Sequence, residues 1–187
     1  MDTKTVNNRD TYIALPVSIR RNTKWYKALK CVLRGMLKDK DWQDKHFHIT
    51  AVFVYGSKHV SELKEAFAQV LAGRKAISLT LDKLEAFETK KKDYVISLTS
   101  SEPSEELVSL VEDLRSAAKR IGAKIEDFRL HITLGKIKNP KMPIEQIQKA
   151  ISSIVHKPTF TTTINHAKYR YHEGRTIRKW TLGRTSV

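Results

Sequence analysis

The tripeptide His-Ile-Thr occurs twice in this chain, at His48 to Thr50 and again, 83 residues later, at His131 to Thr133. Each copy enters an apolar run, HFHITAVFV from His46 and LHITLGKI from Leu130, that reads as a β-strand. Residues two apart on a strand share a face. That parity sets His48 with Thr50, and His131 with Thr133, in front. Phe47, Ile49, Ala51 and Phe53, and likewise Leu130, Ile132 and Leu134, fall behind. If the two fronts meet, they form a cleft suited to splitting a phosphodiester without a metal. A neutral imidazole takes a proton from water or a ribose hydroxyl, while an imidazolium gives one to the leaving oxygen. The threonine hydroxyls donate to the non-bridging oxygens as charge gathers there. The residues leave open which histidine is base and which is acid. A module that only gripped RNA would not need this protonation pair, so it ranks behind catalysis.

Other side chains are candidates for holding the substrate. His46 shares the face of His48, and Arg129 stands in the matching place beside His131; both can sit at the cleft mouth and touch phosphate, or simply face solvent. Two alternate histidines with no Cys, Asp or Glu beside them on the strand make only half a metal site, so neither metal nor cofactor is expected. The run AKYRYHEGRTIRKW interleaves Tyr169 and Tyr171 with arginines, a platform for stacking bases and pairing phosphates. Tyr12 offers a further ring for stacking, with core packing as its alternative. Lys90, Lys91 and Lys92 form a basic turn.

The positioning elements are set by alternation and caps. TYIALPV reads as a strand, residues 23 to 38 as an amphipathic helix, His46 to Tyr55 as a strand, and SELKEAFAQVLAG as a helix closed by Gly73. ISLTLDKLEAFE and DYVISLTSS read as strands joined across TKKKD. SEPSEELVSLVEDLRSAAKRIGA is then a long helix ending at Gly122. LHITLGKI, the helix IEQIQKAISSI and a closing hairpin of FTTTINHAKYRY with RTIRKWTL complete the chain. Both halves place His-Ile-Thr in a strand between two helices. The expected architecture is α+β, with pseudo-symmetric lobes in one domain over residues 1–187.

With 187 residues, 40% of them hydrophobic, the chain has enough apolar material for its own core. A net charge of +15 suits a polyanionic partner. One cysteine, Cys31, excludes an intramolecular disulfide and points to a reducing compartment. With no run long enough for a membrane span, the expectation is a cytosolic protein, favoured as a monomer, that does not bind membranes.

HITA at His48 and HITLGK at His131, with their separation and flanking elements, resemble the two-histidine phosphoesterase superfamily, which includes RNA 2',3'-cyclic phosphodiesterases and 2'-5' RNA ligases. The resemblance implies a bilobal fold with two antiparallel sheets flanked by helices around a central cleft. It implies His48 and His131 as acid and base, with Thr50 and Thr133 holding the phosphate. It also supplies the substrate class: RNA or an oligonucleotide, opened at a 2',3'-cyclic phosphate or cleaved at a 2'-5' linkage. A cyclic nucleotide or cyclic oligonucleotide would suit the same four side chains. Reverse 2'-5' ligation is chemically open, although no Gly-rich nucleotide loop supports an ATP-driven ligase. Ala51 stands where many members carry a larger aliphatic. Lys136 matches a basic position of the second motif, yet parity sets it opposite His131 and Thr133 unless Gly135 bends the strand.

Overall fold

The computed structural model describes residues 9–43, 45–56 and 58–183; most of the polar opening MDTKTVNNRD lies outside them. Apolar stripes at helical spacing fix four helices. In α1 (Lys24–Val32) Trp25, Tyr26 and Leu29 are buried, in α2 (Val60–Leu71) Leu63, Phe67 and Leu71, and in α4 (Ile144–Ser152) Ile147 and Ile151. The longest, α3 (Glu105–Arg120), buries Leu107, Leu110, Val111, Leu114, Ala117 and Ala118. The Ser104 hydroxyl accepts the Leu107 N–H at its start, and Gly122 takes a φ of 81° just past its end.

The first helix is shorter than its pattern predicts. Leu29, Leu33 and Leu37 are all buried at four-residue spacing, which reads as helix to Lys38. Gly35 adopts a φ of 86°, and beyond Val32 the chain runs on in turns that keep Leu33 and Leu37 inside without a continuous helix.

Nine strands accompany the helices: β1 (Thr11–Pro16), β2 (His48–Val54), β3 (Ile77–Leu81), β4 (Lys83–Glu88), β5 (Tyr94–Thr99), β6 (Ile132–Ile137), β7 (Phe160–Ile164), β8 (His166–Tyr171) and β9 (Thr176–Thr181). Seven form one antiparallel sheet in the order β4-β5-β6-β2-β1-β8-β9, and β3 pairs with β7 in a second. The two segments expected as single long strands are each broken, at Asp82 and at Asn165. The backbone there changes sheets, so β3 leaves β4 and β7 leaves β8. The Asp82 carboxylate accepts from the backbone N–H and the hydroxyl of Ser101, which fixes that corner.

The strands of the two halves repeat at one interval. Thr11 and Tyr94, Ile77 and Phe160, and Lys83 and His166 open corresponding strands, and each pair is 83 residues apart, as are the two motif histidines. Outside β9 the sheet order is accordingly palindromic, with β2 and β6 at its centre. Those two strands meet through a single residue pair, Ile49 opposite Ile132. The seam is narrow, and the lobes are tied together instead by helices and a shared core. The connection from β1 to β2, α1, packs against α4 beside the second lobe, whereas α3, between β5 and β6, packs on β2 and α2. One apolar cluster joins Ile13, Ile49 and Phe67 of one lobe to Ile96, Ile132 and Ile147 of the other.

Candidate active site

Partner registers define the face of each motif strand. On β2, Thr50 lies opposite Ala14 while Val52 lies opposite Ile13, so Ala51 is the extra residue of a β-bulge. On β6, Thr133 lies opposite Ser97 and Gly135 opposite Ile96, which makes Leu134 the extra residue. Both bulges come directly after the motif threonine, and both extra residues are fully buried. A bulge reverses the parity of the strand beyond it. Phe53 therefore sits on the side of His48 and Thr50, opposite Tyr12, which corrects the expectation that it points behind. Lys136, opposite Val95, likewise shares the front with Thr133.

The two imidazoles are held alike. The carbonyl of His46 lies 2.8 Å from Nδ1 of His48, and that of Arg129 lies 2.9 Å from Nδ1 of His131. A carbonyl only accepts, so Nδ1 carries the proton in both rings and the neutral form leaves Nε2 as the basic nitrogen. An aromatic ring braces each histidine: Tyr12 stands 5.5 Å from His48 and Phe87 5.2 Å from His131, edge to face. Burial, the largest influence, holds both imidazoles below their ordinary range, opposed in each by the bond to the carbonyl. The surrounding charges differ. The cations Arg170, His131 and His46 weigh further against protonation of His48, whereas around His131 the carboxylates of Glu85 and Glu126 oppose the Arg129 cation.

His48, Thr50, His131 and Thr133 line one cavity of about 180 Å³, together with Gln43, His46 and Phe47. Among the described residues neither threonine hydroxyl has a hydrogen-bond partner, so both donors are available to an oxyanion. Phe47 reaches the cavity despite its expected place behind, because it precedes the first residue of β2 and strand alternation does not govern it. Arg129 is exposed and neutralised: Glu85 accepts its N–H at 3.0 Å, and its guanidinium lies 3.8 Å over the Phe87 ring. Lys136 is paired with Asp93 at 3.2 Å. His46 forms the rim with a left-handed φ of 60°.

The closing hairpin divides differently from its expected role. Tyr169 is 0% exposed, its ring edge-on against Phe67 and its hydroxyl 3.1 Å from that of Thr11, so it belongs to the core and not to a substrate platform. Tyr171 lies opposite Thr11, on the helix-covered side away from His48, and carries the Arg175 guanidinium 4.7 Å over its ring. Substrate contact from Tyr171 is corrected for the same reason of facing. The residue of this strand that does face the cleft side is Arg170, opposite Tyr12. Sequence reasoning missed Arg170, Phe87, Glu85 and Gln43 as neighbours of the site. Applying the 83-residue interval to the later strands would have paired Phe87 with Arg170.

Among the described residues no group of three or more His, Cys, Asp or Glu side chains comes together as a metal centre, and no helix is long and apolar enough to cross a membrane.

Comparison with known proteins adds the family. No curated protein matches the sequence. In fold the chain is similar to a crystallised phosphoesterase (18% identity, TM-score 0.62, covering 94% of this chain and 99% of that one). It is also similar to E. coli LigT complexed with 3'-AMP (17% identity, TM-score 0.59, covering 93% and 98%) and to Kluyveromyces marxianus Usb1 (12% identity, TM-score 0.59, covering 95% and 100%). The α+β fold with antiparallel sheets expected from the motifs is the fold these structures share. Residues 24–176, which contain both His-Ile-Thr strands, match the family model described as the 2'-5' RNA ligase superfamily, and the chain belongs to that superfamily.

Proposed function

We propose that this protein is a metal-independent phosphodiesterase acting on RNA or an oligonucleotide, at a 2',3'-cyclic phosphate or a 2'-5' linkage. The observation that carries the reading is the pair of imidazoles on one cavity, each with Nδ1 tied to the carbonyl two residues before it. That restraint fixes both tautomers and leaves Nε2 as the nitrogen able to exchange protons with a substrate. Two similar structures support the substrate class: E. coli LigT is complexed with 3'-AMP, and K. marxianus Usb1 with uridine monophosphate.

The surrounding charges favour one division of labour. His48, whose protonation Arg170 opposes, is the base that takes a proton from water as the water oxygen bonds to phosphorus. His131, beside Glu85 and Glu126, is the acid that gives a proton to the departing ribose oxygen as its bond to phosphorus breaks. Thr50 and Thr133 donate to the non-bridging oxygens, where charge builds. With a 2'-5' linkage the base takes its proton from whichever hydroxyl attacks, and the acid serves the leaving oxygen in the same way.

The test is turnover by purified protein, in excess chelator, of an oligonucleotide ending in a 2',3'-cyclic phosphate and of a 2'-5' dinucleotide. Opening of the ring or cleavage of the linkage is expected. RNA binding without turnover of either would replace this reading with a binding module of the same fold.

A further inference from the structure

A second concavity lies beside the catalytic cleft. It has a volume of about 510 Å³, and its lining includes Lys27, Lys30, Arg34 and Trp42. That volume lies in the range of about 300–1,000 Å³ typical of small-ligand sites. Its basic character is written into the chain: from Ser18 to Lys38 there is no Asp or Glu, while Arg20, Arg21, Lys24, Lys27, Lys30, Arg34 and Lys38 all fall there. Lys27 and Arg34, seven residues apart, project from one side of α1 and the turn after it, both exposed. Among the described residues neither side chain has an ion-pair partner. Trp42 is half-buried at the other wall, with the Lys30 ammonium 5.1 Å from its ring. Asp39 is the acidic residue in the lining.

The groove adjoins the candidate site through the backbone. Trp42 lines the groove and the next residue, Gln43, lines the histidine cavity. Trp42 pairs with Gly135, and the Gln43 N–H donates to the Leu134 carbonyl at 2.8 Å, so the shared wall is anchored to the motif strand itself. A ligand whose phosphate lies between His48 and His131 has this groove as its neighbour. Exposed cations at helical spacing along a groove, with an aromatic ring on its wall, are the elements that track a single-stranded backbone and stack its bases. A flat bilayer would not enter the concavity.

We infer that the groove of Lys27, Arg34 and Trp42 binds the single-stranded RNA that extends from the phosphate in the histidine cavity. The substrate is then an oligonucleotide rather than a mononucleotide. This last step rests on the proposed catalytic function, whereas the binding itself is tested without turnover.

The experiment measures the affinity of the full chain for a labelled single-stranded RNA decamer over a salt series. It compares Lys27→Glu/Arg34→Glu with a reversal of equal charge on α3, Lys119→Glu/Arg120→Glu. The groove pair is expected to weaken binding at least tenfold and to reduce the slope of log K against log salt by roughly 0.7 per lost phosphate contact. The α3 pair should change affinity less than threefold. Trp42→Ala should also weaken binding, and Lys27→Gln/Arg34→Gln should act in the same direction with a smaller effect, each in a variant whose melting transition is intact. On a cyclic-phosphate-terminated oligomer compared with the cyclic mononucleotide, the groove pair should lower the ratio of kcat/KM values. Equal weakening by the groove and α3 pairs, or no weakening by the groove pair, would overturn the inference. Turnover of neither substrate by the wild type, with the groove-specific loss of binding intact, would remove the catalytic reading and leave the groove standing as an RNA site.

Discussion

Ala51 and Leu134 are counterparts: each is the buried extra residue of a bulge that comes immediately after the threonine of its motif. Each bulge keeps histidine and threonine on the front of the sheet and then turns the strand over, bringing Phe53 and Lys136 to that front. The two lobes therefore repeat a local irregularity as well as an order of elements. Bulges re-aim side chains where a regular strand would not, and here both lie beside the candidate site.

Removing an imidazole tests the protonation pair directly. His48→Ala and His131→Ala should each lower turnover by roughly 10²- to 10⁴-fold, and Thr50→Ala and Thr133→Ala by less. The double histidine variant should be little worse than either single one, because groups sharing a step are not additive. Steady-state kinetics on variants with unchanged melting transitions checks this; near-normal turnover by a folded histidine variant would eliminate the pair.

The pH profile of kcat/KM reports the free enzyme. Both imidazoles lie below the ordinary histidine value of 6.5, chiefly through burial, so the maximum should fall on the acidic side of that value. Below it the base is lost to protonation, and above it the acid is lost to deprotonation. Glu85 favours protonated His131, so Glu85→Gln should move the alkaline limb to lower pH. Arg170 disfavours protonated His48, so Arg170→Gln should move the acidic limb to higher pH. Opposite limbs moving would exchange the proposed roles.

Activity should survive exhaustive chelation, since the chemistry needs only the two imidazoles and the hydroxyls. Turnover before and after treatment with excess chelator, and then on readdition of single divalent ions, makes the check. Abolition by chelator and recovery with one ion would mean that a metal takes part in the step assigned to His48 and His131.

Tyr169→Phe separates core from platform. Loss of the hydroxyl paired with Thr11 should cost about 1 kcal/mol, read from chemical denaturation, with kcat/KM on an oligonucleotide unchanged. A fall in kcat/KM at unaltered stability would return Tyr169 to the substrate.

Much of this protein is legible along the chain alone. The two tripeptides, the alternation that gives each histidine a threonine on its own face, the apolar stripes of α2, α3 and α4, and the interval of 83 residues are all periodic or local features, and local features survive in one dimension. Other properties depend on partners distant in sequence. A bulge is defined by the strand opposite, so the parity of HITAVFV and LHITLGKI fails after Thr50 and Thr133 for a reason neither segment contains. The breaks at Asp82 and Asn165 arise because β3 and β7 pair with each other instead of extending the large sheet. Tyr169 and Arg170 are adjacent, yet one packs on Phe67 in the core and the other faces the side of His48. Which of them meets substrate was decided by β1, whose pairing with β8 turns Tyr169 toward the helices and Arg170 toward Tyr12. The charges that distinguish His48 from His131 come from three separate strands and the loop before β6. Only their folding together places Arg170 near one imidazole and Glu85 near the other.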